Sequence, residues 1–200
     1  MMAEQQVAVV VGSLRRASLT RRVAEALCRV APPSLCLRFI EIRDLPLYNE
    51  DLEGPGMTPA AWARFQGQIA DVDAVPFATP EYNRSVSGAL KNALDVGSHP
   101  YGRSVWEHKP AAVVSVSPGA MGGFGANHHL RQSLVVLNMP TLQQPEAYIG
   151  HADTLFSADG SVAQPRAGEF LASIMTSFAS WIDQVGRPTP NPPHQGESPR

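Results

Sequence analysis

The chain has 200 residues, of which 44% are hydrophobic and 17% charged, the usage of one ordinary globular domain rather than a disordered or fibrous chain. A formal net charge of −2 gives no basic footprint for nucleic acid. No apolar run approaches the ~20 residues that span a bilayer, and residues 1–6 lack a leader's charged-then-apolar layout. No nucleic acid, no membrane and a cytoplasmic location are therefore expected. The two cysteines, Cys28 and Cys36, fall in core-like segments without C-x-x-C spacing, which suits a reducing compartment.

Residues 7–11 form an apolar run of strand length, followed by a Gly-Ser turn and a helical pattern over 18–30. Residues 35–42 alternate as a second strand, and 59–70 read as a helix with proline in its first turn. A third strand is expected at 74–78, a helix at 87–95 with Ser87 as N-cap, and a valine-rich fourth strand at 111–117. A glycine-rich loop leads to a helix at 126–137. Residues 141–148 are a candidate fifth strand, and 167–185 a final helix with Phe170, Leu171, Ile174, Phe178 and Ile182 on one face. Pro76 is awkward in the third strand, which is expected to begin late or to bulge there.

Strands alternating with helices imply a parallel sheet covered on both faces, because the crossovers between parallel strands are long and pack on the sheet. The pattern predicts an α/β, flavodoxin-like three-layer sandwich with a five-stranded parallel sheet of order 2-1-3-4-5. Ligands of such sheets sit beyond the C-terminal strand ends where the order reverses, at the loops after strands one, three and four. One domain is expected over residues 1–186. Residues 187–200, rich in proline and poor in anything to bury, read as a disordered tail.

The first of these loops, residues 12–20, places Ser13, Ser18, Thr20 and Arg15 at a helix N-terminus, where unpaired N–H groups and the helix dipole favour an anion. It reads equally as a polar turn with an N-cap serine. Neither G-x-G-x-x-G nor G-K-[ST] occurs there, which disfavours pyrophosphate. In the second loop, residues 79–85, Pro80 stiffens the turn while Tyr82 offers a ring face and Asn83 an amide, suiting a flat heteroaromatic ligand. Tyr82 packing half-buried is the alternative. The third loop, residues 117–125, carries four glycines whose backbone donors suit the carbonyl and nitrogen edge of a flavin, or else it is a flexible connector. The spacing of His99, His108, His128 and His129 does not resemble a metal set. Ser117 has no G-x-S-x-G elbow.

Five segments together resemble the NADPH-dependent FMN reductase family, in particular its chromate and quinone reductase branch: G-S-L-R-x-x-S at 12–18, L-P-L-Y at 45–48, T-P-E-Y-N-x-S at 79–85, L-K-N-A-x-D at 90–95 and H-L-R-Q at 129–132. The resemblance covers roughly residues 6–185. It implies bound FMN, with Ser13, Leu14, Arg15, Ser18 and Thr20 at its phosphate. Pro80, Glu81, Tyr82 and Asn83 would line the ring, and Ser117, Gly119 and Gly122 would close its other edge. It also implies NADPH or NADH as co-substrate, a small electron acceptor (quinone, chromate, azo compound or free flavin) and a homodimer or homotetramer.

No side chain is expected to be catalytic, since hydride transfer between stacked rings leaves the chemistry to the cofactor and positioning to the protein. Donor and acceptor sharing one ring face predicts ping-pong kinetics. The rival is a flavodoxin-type FMN carrier serving a protein partner, although the usual strong acidity of such carriers is absent. Three departures from the family pattern, Ser87 for proline, Val96 for tryptophan and His99 for arginine, are expected beside the cleft. A dimer face is expected on the helix at 87–95, with Leu90 and Leu94, and on the connection 96–107, with Tyr101, Val105 and Trp106, the alternative being that Trp106 packs under its own loop.

Overall fold

Strand β1 (Gln5–Val11) shows why the sheet must be central: Ala8 and Val10 point into one buried cluster and Val7 into another. Strand β4 (Ala111–Val116) alternates likewise, with Ala111 and Val113 on the first face and Ala112, Val114 and Val116 on the second. A period of two with both faces apolar requires helices above and below. The computed structural model describes residues 4–186, and the proline-rich tail lies outside the described residues.

Helices α2 (Ala60–Ala70), α3 (Gly88–Ser98) and α4 (Phe124–Val136) cover the first face through Trp62, Phe65, Leu90, Leu94, Leu130 and Leu134. Helices α1 (Leu19–Val30) and α5 (Pro165–Val185) cover the second. On α5 the buried stripe is Leu171, Ile174, Met175, Phe178 and Ile182, each worth ~1.5–3 kcal/mol of gross burial. With β2 (Leu35–Ile40), β3 (Val75–Pro80) and β5 (Ala147–Ile149), the parallel sheet runs β2-β1-β3-β4-β5, the order expected.

The differences from expectation have local causes. Pro76 stands inside β3, and β1–β3 pairing is interrupted there: Val7 bridges Ala74, and the ladder resumes only at Val10 and Phe77. The ladder to β4 is unbroken. Strand β5 is three residues rather than eight. Thr141 bridges Ala111, but Pro145 has no N–H to give a ladder, and Gln143, Gln144 and Glu146 have no core to enter. Helix α4 starts at Phe124, two residues early, because Gly123 takes the left-handed conformation at its N-cap (φ 78°).

Candidate active site

The loops after β1, β3 and β4 leave adjacent strands at one end of the sheet, and Gly12 pins the first two to α3. Its N–H donates to Ala78 O at 2.8 Å and its carbonyl accepts from Ser87 Oγ at 2.6 Å. A Cβ on Gly12 would lie 3.0 Å from Ser87 Oγ and 3.1 Å from Pro80 Cδ, so the close approach requires glycine. Ser87 also caps α3 by accepting from Leu90 N at 3.2 Å. The serine that departs from the family pattern thus ties the first loop to a helix end.

In the first loop Ser18 is the N-cap of α1, accepting from Arg21 N–H at 3.0 Å, and both Ser18 and Thr20 are buried. Ser13 and Leu14 are half-buried, while Arg15 is exposed and makes no hydrogen bond or ion pair among the described residues. The capping reading of Ser18 is therefore correct, and it leaves the hydroxyl proton and the guanidinium of Arg15 for a ligand.

The second loop is a two-residue turn. Tyr82 and Ser85 exchange backbone hydrogen bonds at 3.0 and 3.1 Å around Asn83 (φ 52°) and Arg84 (φ 65°), the signs of a type I′ turn. Tyr82 is 46% exposed, so its ring is free for a ligand rather than packed. Pro80 is buried at the strand end. The carboxylate of Glu81 is spent elsewhere: Oε2 accepts from Ala126 N–H at 3.0 Å and Oε1 from Arg84 at 3.2 Å. Gly123 offers α4 no side-chain cap, and Glu81 supplies one from another loop. Only the backbone of Glu81 is left to line a ring.

The third loop packs on β5. A Cβ on Gly122 would sit 2.6 Å from Tyr148 C, and one on Gly150 2.7 Å from Ala120 O. The N–H of Gly122 donates to Gly119 O and that of Gly119 to Ser117 Oγ. Gly122 is buried and shapes the loop rather than facing the cleft, whereas Ser117 and Gly119 lie at its rim with exposed Met121 and Phe124. The bonds Ser117 N–H to Ile149 O and Ala152 N–H to Ser117 O hold the loop in place, so the flexible-connector reading is set aside.

Two expectations do not survive. Val96 and His99 lie eight and eleven residues beyond Gly88, ~12–16 Å along α3 from the end that meets Gly12. Val96 is core there. His99 joins a polar triangle that sequence reasoning missed: Tyr48 Oη donates to Glu53 Oε1 at 2.9 Å and lies 2.8 Å from His99 Nδ1. Burial and the Glu53 carboxylate push the Tyr48 hydroxyl up to about 12. Three apolar anchors of the expected dimer face do not survive either. Leu90, Leu94 and Trp106 are buried in their own chain, and Trp106 Nε1 donates to Leu94 O at 2.9 Å over Gly97. Tyr101 alone of that set is well exposed, at 88%.

The histidines of α4 are bonded to neighbours: His129 Nδ1 lies 2.7 Å from Ser85 Oγ and His128 Nε2 2.9 Å from Tyr148 Oη. Among the described residues no group of three or more His, Cys, Asp or Glu is placed to hold a metal. No helix among them is long and apolar enough to cross a membrane. Both cysteines are free, and burial pushes the Cys28 thiol up to about 11, away from thiolate chemistry.

The family model described as NADPH-dependent FMN reductase matches residues 6–154. The chain belongs to that family. Among its relatives, a quinone reductase of Pseudomonas putida is 59% identical over 176 residues, covering 88% of this chain and 94% of the relative. A 2-hydroxy-1,4-benzoquinone reductase of a Burkholderia species is 41% identical, with 88% and 96% covered. FerB of Paracoccus denitrificans, a flavoenzyme NAD(P)H:(acceptor) oxidoreductase, superposes with a TM-score of 0.84 at 40% identity over 91% of this chain and 99% of FerB. This FMN reductase is thus an oxidoreductase that uses NAD(P)H and FMN. Its loops fit such a cofactor: helix-end donors and an unpaired guanidinium suit a phosphate, and an exposed tyrosine face suits a flat ring.

Proposed function

We propose that this FMN reductase is a quinone reductase whose FMN lies across the C-terminal ends of β1, β3 and β4. Ser13, Leu14, Arg15, Ser18 and Thr20 hold the phosphate, with the N-terminus of α1 supplying backbone donors and Arg15 the charge. Pro80, Tyr82, Asn83 and the backbone of Glu81 wall the ring, and Ser117 and Gly119 border its far edge. Gly122 acts one step back, by letting the third loop close on Tyr148. The unpaired Arg15 beside three loops that converge at the strand-order reversal carries this reading. FMN held there would supply the redox chemistry between NAD(P)H and the acceptor. The protein contributes rigid placement of both rings and partial exclusion of water.

The relatives named as quinone and benzoquinone reductases support quinones as the acceptor class, ahead of chromate, azo compounds and free flavin. A cytoplasmic location and a homodimer or homotetramer belong to the same proposal. With Leu90, Leu94 and Trp106 withdrawn into the core, the apolar groups a second copy would cover beside the cleft are Met121 and Phe124. Steady-state rates with NADPH across a benzoquinone, chromate, an azo dye and free FMN test the assignment. Parallel double-reciprocal lines with the quinone giving the highest kcat/KM are expected. A rate confined to free FMN would overturn it.

A further inference from the structure

The parallel sheet brings a fourth segment to the cleft end. Strand β5 pairs parallel with β4, so residues 150–152 leave it at the same edge as the three loops. They are laced to the third loop: Ser117 N–H donates to Ile149 O at 3.0 Å, His151 N–H to Gly119 O at 3.4 Å and Ala152 N–H to Ser117 O at 3.2 Å. Gly150 lets the two segments close, since a Cβ there would lie 3.1 Å from Gly119 O. His151 therefore stands beside Ser117 and Gly119, the residues that border the far edge of the flavin in the reading above. Its imidazole is exposed and has no hydrogen-bond or ion-pair partner among the described residues.

The backbone of His151 is left-handed, with φ 48°, a conformation that strains residues other than glycine. The third loop meets the same demand with Gly122 and Gly123. Elsewhere among the described residues a non-glycine positive φ has a local reason: Asn83 and Arg84 form the type I′ turn, and the side chains of His108 and Asn138 bond one another at 3.3 Å. The carbonyl of His151 accepts from Thr154 N–H and Oγ1, both at 3.0 Å, a turn that glycine would make without strain and that asks nothing of an imidazole. Strain kept without a local compensation points to a role at the site.

Two-electron reduction leaves negative charge on the pyrimidine edge of a flavin, and a cation placed there stabilises the reduced form. The third loop has no ionisable side chain from Ser117 to Gly125, and Asp153 is the only acidic residue in the segment 150–154. We propose that the His151 imidazolium contacts that edge, holds reduced FMN more tightly than oxidised FMN and so raises the potential of the bound flavin. The proton on the imidazole comes from solvent, and the two electrons come from NAD(P)H. The inference rests on the flavin placement proposed above.

FMN-loaded wild type, His151→Asn, His151→Lys and His151→Gly are compared by anaerobic titration of the flavin potential against a reference dye, by titration with oxidised FMN and by thermal unfolding. Asparagine tolerates a left-handed backbone, so His151→Asn removes the charge without adding strain. It is expected to lose roughly ten- to a hundredfold in affinity for reduced FMN, as one charge-assisted contact would, which lowers the two-electron potential by about 30–60 mV. Affinity for oxidised FMN should stay put. His151→Lys should recover most of the potential. His151→Gly should share the low potential of His151→Asn yet unfold at no lower temperature than wild type, because it relieves the strain. An unchanged potential in His151→Asn overturns the proposal, as does a lysine variant no higher than the asparagine one. Oxidised FMN weakened as much as reduced FMN also overturns it, leaving His151 as a brace of the third loop. A wild type that binds no FMN would defeat the flavin placement itself, and this inference with it.

Discussion

Replacing Glu81 by alanine tests whether this residue acts through its charge on α4 or as a wall of the cofactor site. Its side chain is only 13% exposed and accepts a 3.0 Å hydrogen bond from Ala126 N–H, while the α4 N-cap glycine contributes no side-chain cap. A hydrogen bond to a charged group is worth ~1.5–3 kcal/mol. A carboxylate at a helix N-terminus adds ~0.3–1 kcal/mol, part of it the same interaction counted twice. The exposed Arg84 pair adds little. A net loss of about 2 kcal/mol is expected, which is ~4–8 °C in Tm for a domain of this size. Glu81→Gln keeps an acceptor and should lose less than half as much. Because the second loop packs so tightly on the start of α4 that a Cβ on Gly125 would lie 2.9 Å from the Arg84 carbonyl oxygen, that loop should loosen and FMN affinity fall along with stability. Thermal unfolding with and without saturating FMN, together with fluorescence titration of FMN, reads both quantities. An alanine variant with unchanged unfolding but lost FMN would refute the capping account and put the carboxylate in the cofactor site.

Arg15→Ala is expected to weaken FMN binding by roughly ten- to a hundredfold, as one charge-assisted contact would, with the circular dichroism spectrum unchanged; equal affinity in titration would remove Arg15 from the phosphate site. Gly97→Ala places a Cβ 2.4 Å from Trp106 Nε1, inside van der Waals contact, and overpacking of this kind costs ~1–3 kcal/mol. Denaturant unfolding and the Trp fluorescence of the native state should both change. Leu94→Asp would bury a carboxylate in the core, so it should abolish soluble folded protein rather than release a well-folded monomer. A folded monomer by light scattering would restore the helix to an interface.

Strands β1, β3 and β4 were legible because both their faces are buried, which leaves short apolar runs that only a doubly covered parallel sheet explains. The helix starts at Ser18 and Ser87 were legible for a local reason, since the capping hydroxyl lies three residues from the N–H it accepts. Non-local devices were not. Glu81 caps a helix 45 residues ahead, and the triangle of Tyr48, Glu53 and His99 spans 51 residues. Nothing in a connecting segment says which way Trp106 turns, so the sequence leaves its packed and interface readings both open. Gly97 was the available signal, a glycine inside a helix that leaves room for the indole. Val96 and His99 follow Ser87 closely in sequence, yet the helical rise carries them to the other end of α3. Residues of the three loops were legible as a group because strand order alone brings them together. Their individual roles were not, as Glu81 and Gly122 show.

One spectroscopic titration bears most directly on the claim that the three loops hold FMN for hydride transfer from a nicotinamide nucleotide. The apo-chain is titrated with FMN under anaerobic conditions, followed by NADPH and then a benzoquinone, with absorbance near the flavin band recorded throughout. One FMN per chain should bind, one equivalent of NADPH should bleach it and one equivalent of quinone should restore the colour, with Arg15→Ala requiring more FMN to reach the same end point. Stoichiometric binding without bleaching by NADPH or NADH would contradict the account, as would a chain that binds no FMN.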